Sequence, residues 1–117
     1  MQPSPADLAR AVADAADDKL GTDTVVLDVG DVLAITDYFV VTHGANDRQV
    51  KAIADEVERV LRERFGTKPV RTEGLDDLRW VLIDYGSIVV HVFEEETRRF
   101  YELERLWRDV PRLDRAP

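Results

Sequence analysis

The stretch from Arg79 to Phe93 constrains the fold more than any other part of this chain. It places two strongly β-branched, apolar runs on either side of Gly86 and so predicts a hairpin. Side chains alternate across a strand, and residue parity therefore sorts them by face. With a two-residue loop, Tyr85-Gly86 or Gly86-Ser87, one face carries Val81, Ile83, Ile88, Val90 and Val92. That all-aliphatic face requires helices over it. The other carries Trp80, Leu82, Asp84, Ser87, Val89, His91 and Phe93. An aromatic anchor, a carboxylate and an imidazole among apolar groups compose either an interaction face or a face covered by the protein's own helix. Trp80 is the expected anchor if the face is open, removable with little loss of stability. His91 is expected to pack near Trp80 or Leu82 across the hairpin.

The remaining elements assemble around this hairpin. Ser4, Pro5 and Asp7 start a helix reaching about Leu20, with Leu8, Val12, Ala15, Ala16 and Lys19 at spacings of three and four and Gly21 as its stop. Thr24 to Val29 and Tyr38 to Thr42 read as strands, the second apolar enough to be central. Asn46 and Gln49 form a capping-box pattern ahead of a stripe of Val50, Ile53, Ala54, Val57, Val60, Leu61 and Phe65, which ends at Gly66. Pro69 to Gly74 suits a short edge strand. Glu94 to Trp107 reads as a continuous third helix, with Phe100, Leu103, Leu106 and Trp107 toward the core and Pro111 beyond its end. The order α-β-β-α-β-β-β-α predicts an α/β fold, a single mixed sheet of about five strands flanked by three helices. A crossover through the second helix makes at least one strand pair parallel.

At 117 residues the chain suits one domain, 1–117, with residues 1–3 and 110–117 expected to be loose tails. Its 24 acidic and 16 basic residues leave a net charge of -8, which argues against gripping DNA or another phosphate backbone but leaves room for a basic protein partner, which an acidic surface would attract and steer. No cysteine and only two histidines leave little with which to build a metal site, and no metal or cofactor is expected. No apolar stretch is long enough for a membrane span, and the first residues do not form a signal peptide, so the cytoplasm is the expected compartment.

Thr36-Asp37-Tyr38-Phe39-Val40-Val41, Arg48-Gln49-Val50 and Ala52-Ile53-Ala54 resemble the ribosomal silencing factor family, also called Iojap-like. Glu73-Gly74, Trp80 with Asp84-Tyr85-Gly86, Val89-Val90-His91-Val92-Phe93, and Arg98 to Glu104 with Leu106-Trp107 continue the resemblance in the same order. The likeness spans Leu20 to Trp107. It implies a protein that binds the large ribosomal subunit through its ribosomal protein fourteen, blocks joining of the small subunit and represses translation. Organelle relatives imply an alternative, assembly of the large subunit. Carried onto this chain, the implied partner-facing residues are Trp80, Asp84 and Tyr85, extending to His91; with Leu82 from the parity face, the expected partner-binding set is Trp80, Leu82, Asp84, Tyr85 and His91. Ser87 stands where relatives often have Asp, and His43-Gly44-Ala45 where they commonly show Thr-Gly.

The family fold is also similar to that of nucleotidyltransferases, whose chemistry needs Gly-Ser at a helix start and two carboxylates two residues apart on a strand. Here Ala45 follows Gly44, and Asp28, Asp31 and Asp37 are spaced by three and six. No Gly-x-Ser-x-Gly elbow is present either, so the expectation is no enzyme. His43 is expected to end a strand or cap a loop. Arg48 is expected to pair with Asp37 or Asp84, or else to meet a partner. Arg98 and Arg99 read as a solvated helical face that could reach RNA, and Tyr101 and Trp107 as core or self-association residues. Dimerisation would shield such an apolar patch, so a homodimer is an arrangement the sequence allows without fixing the oligomeric state.

Overall fold

A computed structural model describes residues 3–114. Helix α1 (Pro5–Asp18) begins with the reciprocal cap expected of its sequence: the Asp7 amide donates to Ser4 Oγ at 3.1 Å, and the Ser4 amide to the Asp7 carboxylate at 3.3 Å. Leu8, Val12 and five alanines are buried along it, and such small residues let the helix lie close to its neighbours. The helix stops short of Leu20, and Lys19, which spacing placed on the inner stripe, is exposed.

Strands β1 (Thr22–Asp28) and β2 (Tyr38–Gly44) pair antiparallel, and helix α2 (Asp47–Phe65) follows. Strands β3 (Arg71–Glu73), β4 (Trp80–Asp84) and β5 (Ile88–Glu94) complete a sheet in the order β1-β2-β5-β4-β3. The pair β2–β5 is parallel and the other three are antiparallel, the mixed sheet with a parallel crossover that the element order implied. Tyr85 donates its amide to the Ile88 carbonyl at 2.9 Å, leaving Gly86-Ser87 as the two-residue loop. A φ of 86° at Gly86 suits the first position of such a turn.

Helices α1 and α2 cover the aliphatic face, burying Val81, Ile83, Ile88, Val90 and Val92 with Val40, Ile53, Val57 and Leu61. At the start of α2, Asn46 accepts from the Gln49 amide at 2.9 Å, as expected of a cap. The return bond is displaced by one residue, with Gln49 Oε1 accepting from the Ala45 amide at 2.7 Å. Gln49 Nε2 also donates to the carbonyls of Leu20 at 2.8 Å and Lys19 at 3.2 Å, joining the end of α1 to the start of α2. Gln49→Ala is expected to cost about 1–2 kcal/mol of unfolding free energy, because it orphans donors and acceptors on both helices at once. Urea denaturation checks this, and a loss below about 0.5 kcal/mol would show that water replaces the glutamine without cost.

The C-terminal region departs from expectation. The third helix is not continuous: α3 (Glu95–Tyr101) ends at Glu102, whose left-handed backbone (φ 47°, ψ 51°) turns the chain into the short α4 (Leu103–Leu106). This rotation leaves Phe100 and Leu106 about four-fifths exposed, at 80% and 78%, while Leu103 and Trp107 pack on the sheet. Residues 110–114 are not a loose tail. Asp28 donates to the Pro111 carbonyl, Leu113 to the Val26 carbonyl, and Arg10 to the Asp114 carbonyl, so the segment lines the outer edge of β1. Pro3 is described, whereas residues 1–2 and 115–117, the remainder of the expected tails, lie outside the described residues.

Candidate docking face

Trp80, Leu82, Asp84 and His91 emerge on one side of the sheet, as parity required, with Leu82 directly opposite His91. Tyr85 does not join them. It falls on the aliphatic side opposite Ile88, is 8% exposed beneath the helices, and burial there raises its hydroxyl pKa. Its place in the expected binding set is therefore corrected: at the hairpin end, Tyr85 belongs to the core.

Trp80 is half-buried and is more than an anchor held out to solvent. Its ring centroid lies 4.7 Å from that of Phe93 and 5.0 Å from that of Tyr101. Its indole Nε1–H donates to His91 Nδ1 at 3.1 Å. The loop before β4 closes over its backbone only because residue 74 is glycine. With φ at 90°, a Cβ there would sit 2.1 Å from the Trp80 carbonyl oxygen. Removing the Trp80 ring would thus disturb the fold as well as the face, contrary to the expectation from sequence.

His91 is 4% exposed and meets Phe39 edge-to-face at 4.7 Å. Because Nδ1 accepts from Trp80, the proton of the neutral ring resides on Nε2, which is buried without a partner among the described residues. Burial pushes the imidazole pKa down to about 4, keeping the ring neutral near pH 7. Asp84 is held by the Gly86 amide at 2.8 Å and by Arg71 at 3.4 Å. No ion pair of Arg48 with Asp37 or Asp84 occurs among the described residues, and Arg71 takes the place expected of it.

This face is neither fully open nor fully covered. Leu103, Trp107 and Val110 close the part over Leu27, Phe39, Val41 and Phe93. The rest forms an apolar groove of about 310 Å³ between the hairpin, at Leu82, Val89 and His91, and the β1–β2 loop, at Leu33, Ile35 and Thr36. Ile35 is 86% exposed on its rim, and Thr36 Oγ1 is buried without a partner among the described residues. Sequence reasoning missed this second wall, for which the only local signal was the apolar run Val32-Leu33-Ala34-Ile35 in a loop.

It also missed Arg98. Far from lying on a solvated face, its guanidinium is buried and makes five hydrogen bonds, two to Glu104 (3.3 and 3.0 Å), one each to the carbonyls of Thr22 (3.0 Å) and Asp23 (2.8 Å), and one to His43 Nδ1 (2.8 Å). Burial, followed by the Arg98 charge, lowers the His43 pKa. Burial acts to raise that of Glu104, but the bond and charge of Arg98 prevail and hold it below the usual carboxylate range. Arg99 alone fits the expected solvated role, exposed and paired with Glu95. Among the described residues, no three acidic or histidine side chains gather to hold a metal ion.

The geometry defines an open-sheet α/β protein with one side sealed by helices and a half-roofed apolar groove on the other. Comparison with known proteins gives this class its family. The family described as "Ribosomal silencing factor during starvation" matches residues 2–117, and the chain belongs to it. Bacillus subtilis ribosomal silencing factor RsfS is 43% identical over 105 residues, 90% of this chain and 88% of the relative. The mouse protein named "Mitochondrial assembly of ribosomal large subunit protein 1" is 36% identical over 87 residues, covering 73% of this chain and 38% of its own. A crystal structure of a Chromobacterium violaceum protein superposes with a TM-score of 0.86 at 33% identity, covering 90% of this chain and 87% of the other.

Proposed function

We propose that this protein binds the large ribosomal subunit through ribosomal protein fourteen, by the open part of the Trp80-bearing face, and represses translation in the cytoplasm by occupying space the small subunit needs. The action is steric and involves no catalysis. Family membership supports the ribosomal role, and one structural observation supports the surface: an apolar groove, lined by Leu82, Val89 and His91 and rimmed by Ile35, stays uncovered on this face of the sheet. Its net charge of -8 suits a basic partner and opposes direct seating on RNA.

Leu82→Arg tests the surface, since it sets a charge in the groove without touching the helix-covered side. It is expected to weaken co-sedimentation with isolated large subunits at least about thirtyfold, the counterpart of roughly 2 kcal/mol. Retained binding by a folded variant would move the docking surface elsewhere. The mouse relative's name favours a second reading, assembly of the large subunit. Association confined to immature particles would select it. A homodimer would shield the same groove, and light scattering with and without subunits distinguishes the two occupants.

A further inference from the structure

Trp80 borders a second cleft, of about 500 Å³, that shares none of the groove's lining residues. Its walls are the side chains of Asp77, Arg79, Trp80, Glu96, Phe100 and Tyr101. Glu96 and Phe100 stand four residues apart on α3 and so share a helical face, and Tyr101, the next residue round the helix, also lines the cleft. Phe100 is 80% exposed and Tyr101 53%, and their rings meet edge-to-face at 5.1 Å. Tyr101 in turn packs on Trp80 at 5.0 Å, which fixes the cluster to the sheet.

Exposed rings backed by carboxylates attract a desolvated organic cation, because the negative face of each ring and the carboxylate act in the same direction. Two carboxylates, Asp77 and Glu96, face one internal cation, Arg79. That guanidinium is held loosely on Asp77 at 3.7 Å, and Glu96 has no ion pair among the described residues. An anion would meet two like charges here. A purely apolar side chain would leave the Glu96 charge uncompensated beside it.

We propose that this cleft receives an arginine or lysine side chain from a basic protein segment, stacked on Phe100 and Tyr101 and paired with Glu96. The chemistry stands on the cleft alone, whereas the identity of the segment as part of the ribosomal partner rests on the preceding reading. The acidic balance of the chain brings such a segment in, and Trp80, one wall of the cleft, donates to His91 in the groove lining, so one partner can engage both.

The test uses three capped tripeptides with arginine, citrulline or leucine between glycines, titrated into the full chain and followed by the amide shifts of Glu96 to Tyr101 and the Trp80 indole. The arginine peptide is expected to give saturable shifts at about tenfold lower concentration than citrulline, with the difference shrinking in high salt. Phe100→Ala and Glu96→Gln, both on the exposed helix surface, are expected to weaken it several-fold each while shifts elsewhere stay unchanged. Equal response to citrulline, preference for leucine, or no response overturns the proposal. With large subunits, the double variant is expected to bind at least fivefold more weakly, and unchanged affinity would reject use of the cleft by that partner. Failure of the unaltered chain to bind subunits would instead overturn the ribosomal reading, leaving the peptide result to decide the chemistry.

Discussion

Arg98→Met is expected to lower the melting temperature by roughly 10–15 °C, the counterpart of about 3 kcal/mol in a chain of this length. Methionine keeps the apolar stem and removes only the guanidinium. The loss strands two backbone carbonyls on β1, His43 Nδ1 and the Glu104 carboxylate. Such a cost follows from leaving buried polar groups unpaired, which is why breaking a buried pair far exceeds the worth of a surface one. The neighbouring Arg99→Met makes the comparison, since among the described residues Arg99 has only its exposed pair with Glu95 and is expected to change stability by less than about 0.5 kcal/mol. Arg98 also ties Glu104 across the left-handed turn at Glu102, and so holds Leu103 and Trp107 over Phe39 and Phe93. The methionine variant should therefore expose that apolar surface and bind a hydrophobic dye near pH 7 before it unfolds. A variant melting within about 3 °C of the unaltered chain would show that the sheet face holds α4 without the clip.

These two adjacent arginines show where the sequence could be read and where it could not. Local signals were sufficient for α1, whose cap at Ser4 and Asp7 lies within four residues, and for the hairpin, where alternation and Gly86 fix the register. The third helix defeated the same reasoning. Phe100, Leu103, Leu106 and Trp107 satisfy helical spacing, and no glycine or proline marks the break at Glu102. The chain turns there because Arg98 finds its partners on β1 and β2, 55 to 76 residues away in sequence, an outcome no local window contains. The candidate face was legible in the same proportion. Parity placed Trp80, Leu82, Asp84 and His91 together, yet it gave no signal for Tyr85 at the turn, for the loop wall at Ile35 and Thr36, or for the partial roof of Leu103 and Trp107. Residues 110–114 lie along an open strand edge, and backbone hydrogen bonding of that kind leaves almost no trace in side-chain pattern.

Acidification is expected to remove about 3 kcal/mol of stability between pH 6.5 and pH 4, through His91 above all. Its folded pKa, near 4, lies below the ordinary value of 6.5 because burial penalises the charged ring. Over that window the unfolded chain binds the proton and the folded chain does not. Stability is therefore complete above about pH 6.5, falls as the pH drops, and levels for this group below about 4. The Trp80 N–H reinforces the direction, since a protonated ring would point a second N–H at the indole donor. His43 is shifted the same way by burial and by Arg98, so the two histidines add and do not cancel. With domains of this size held by about 5–15 kcal/mol, such a loss is a large share of the total. Urea unfolding at successive pH values, followed by tryptophan fluorescence, measures it. His91→Asn retains an acceptor for Trp80 but cannot titrate there, and is expected to start less stable and to show a much shallower decline, the remainder belonging to His43 and to depressed carboxylates such as Glu104. An equally steep decline in the asparagine variant would assign the acid sensitivity to other groups, and the imidazole would then be no more than packing beneath the indole.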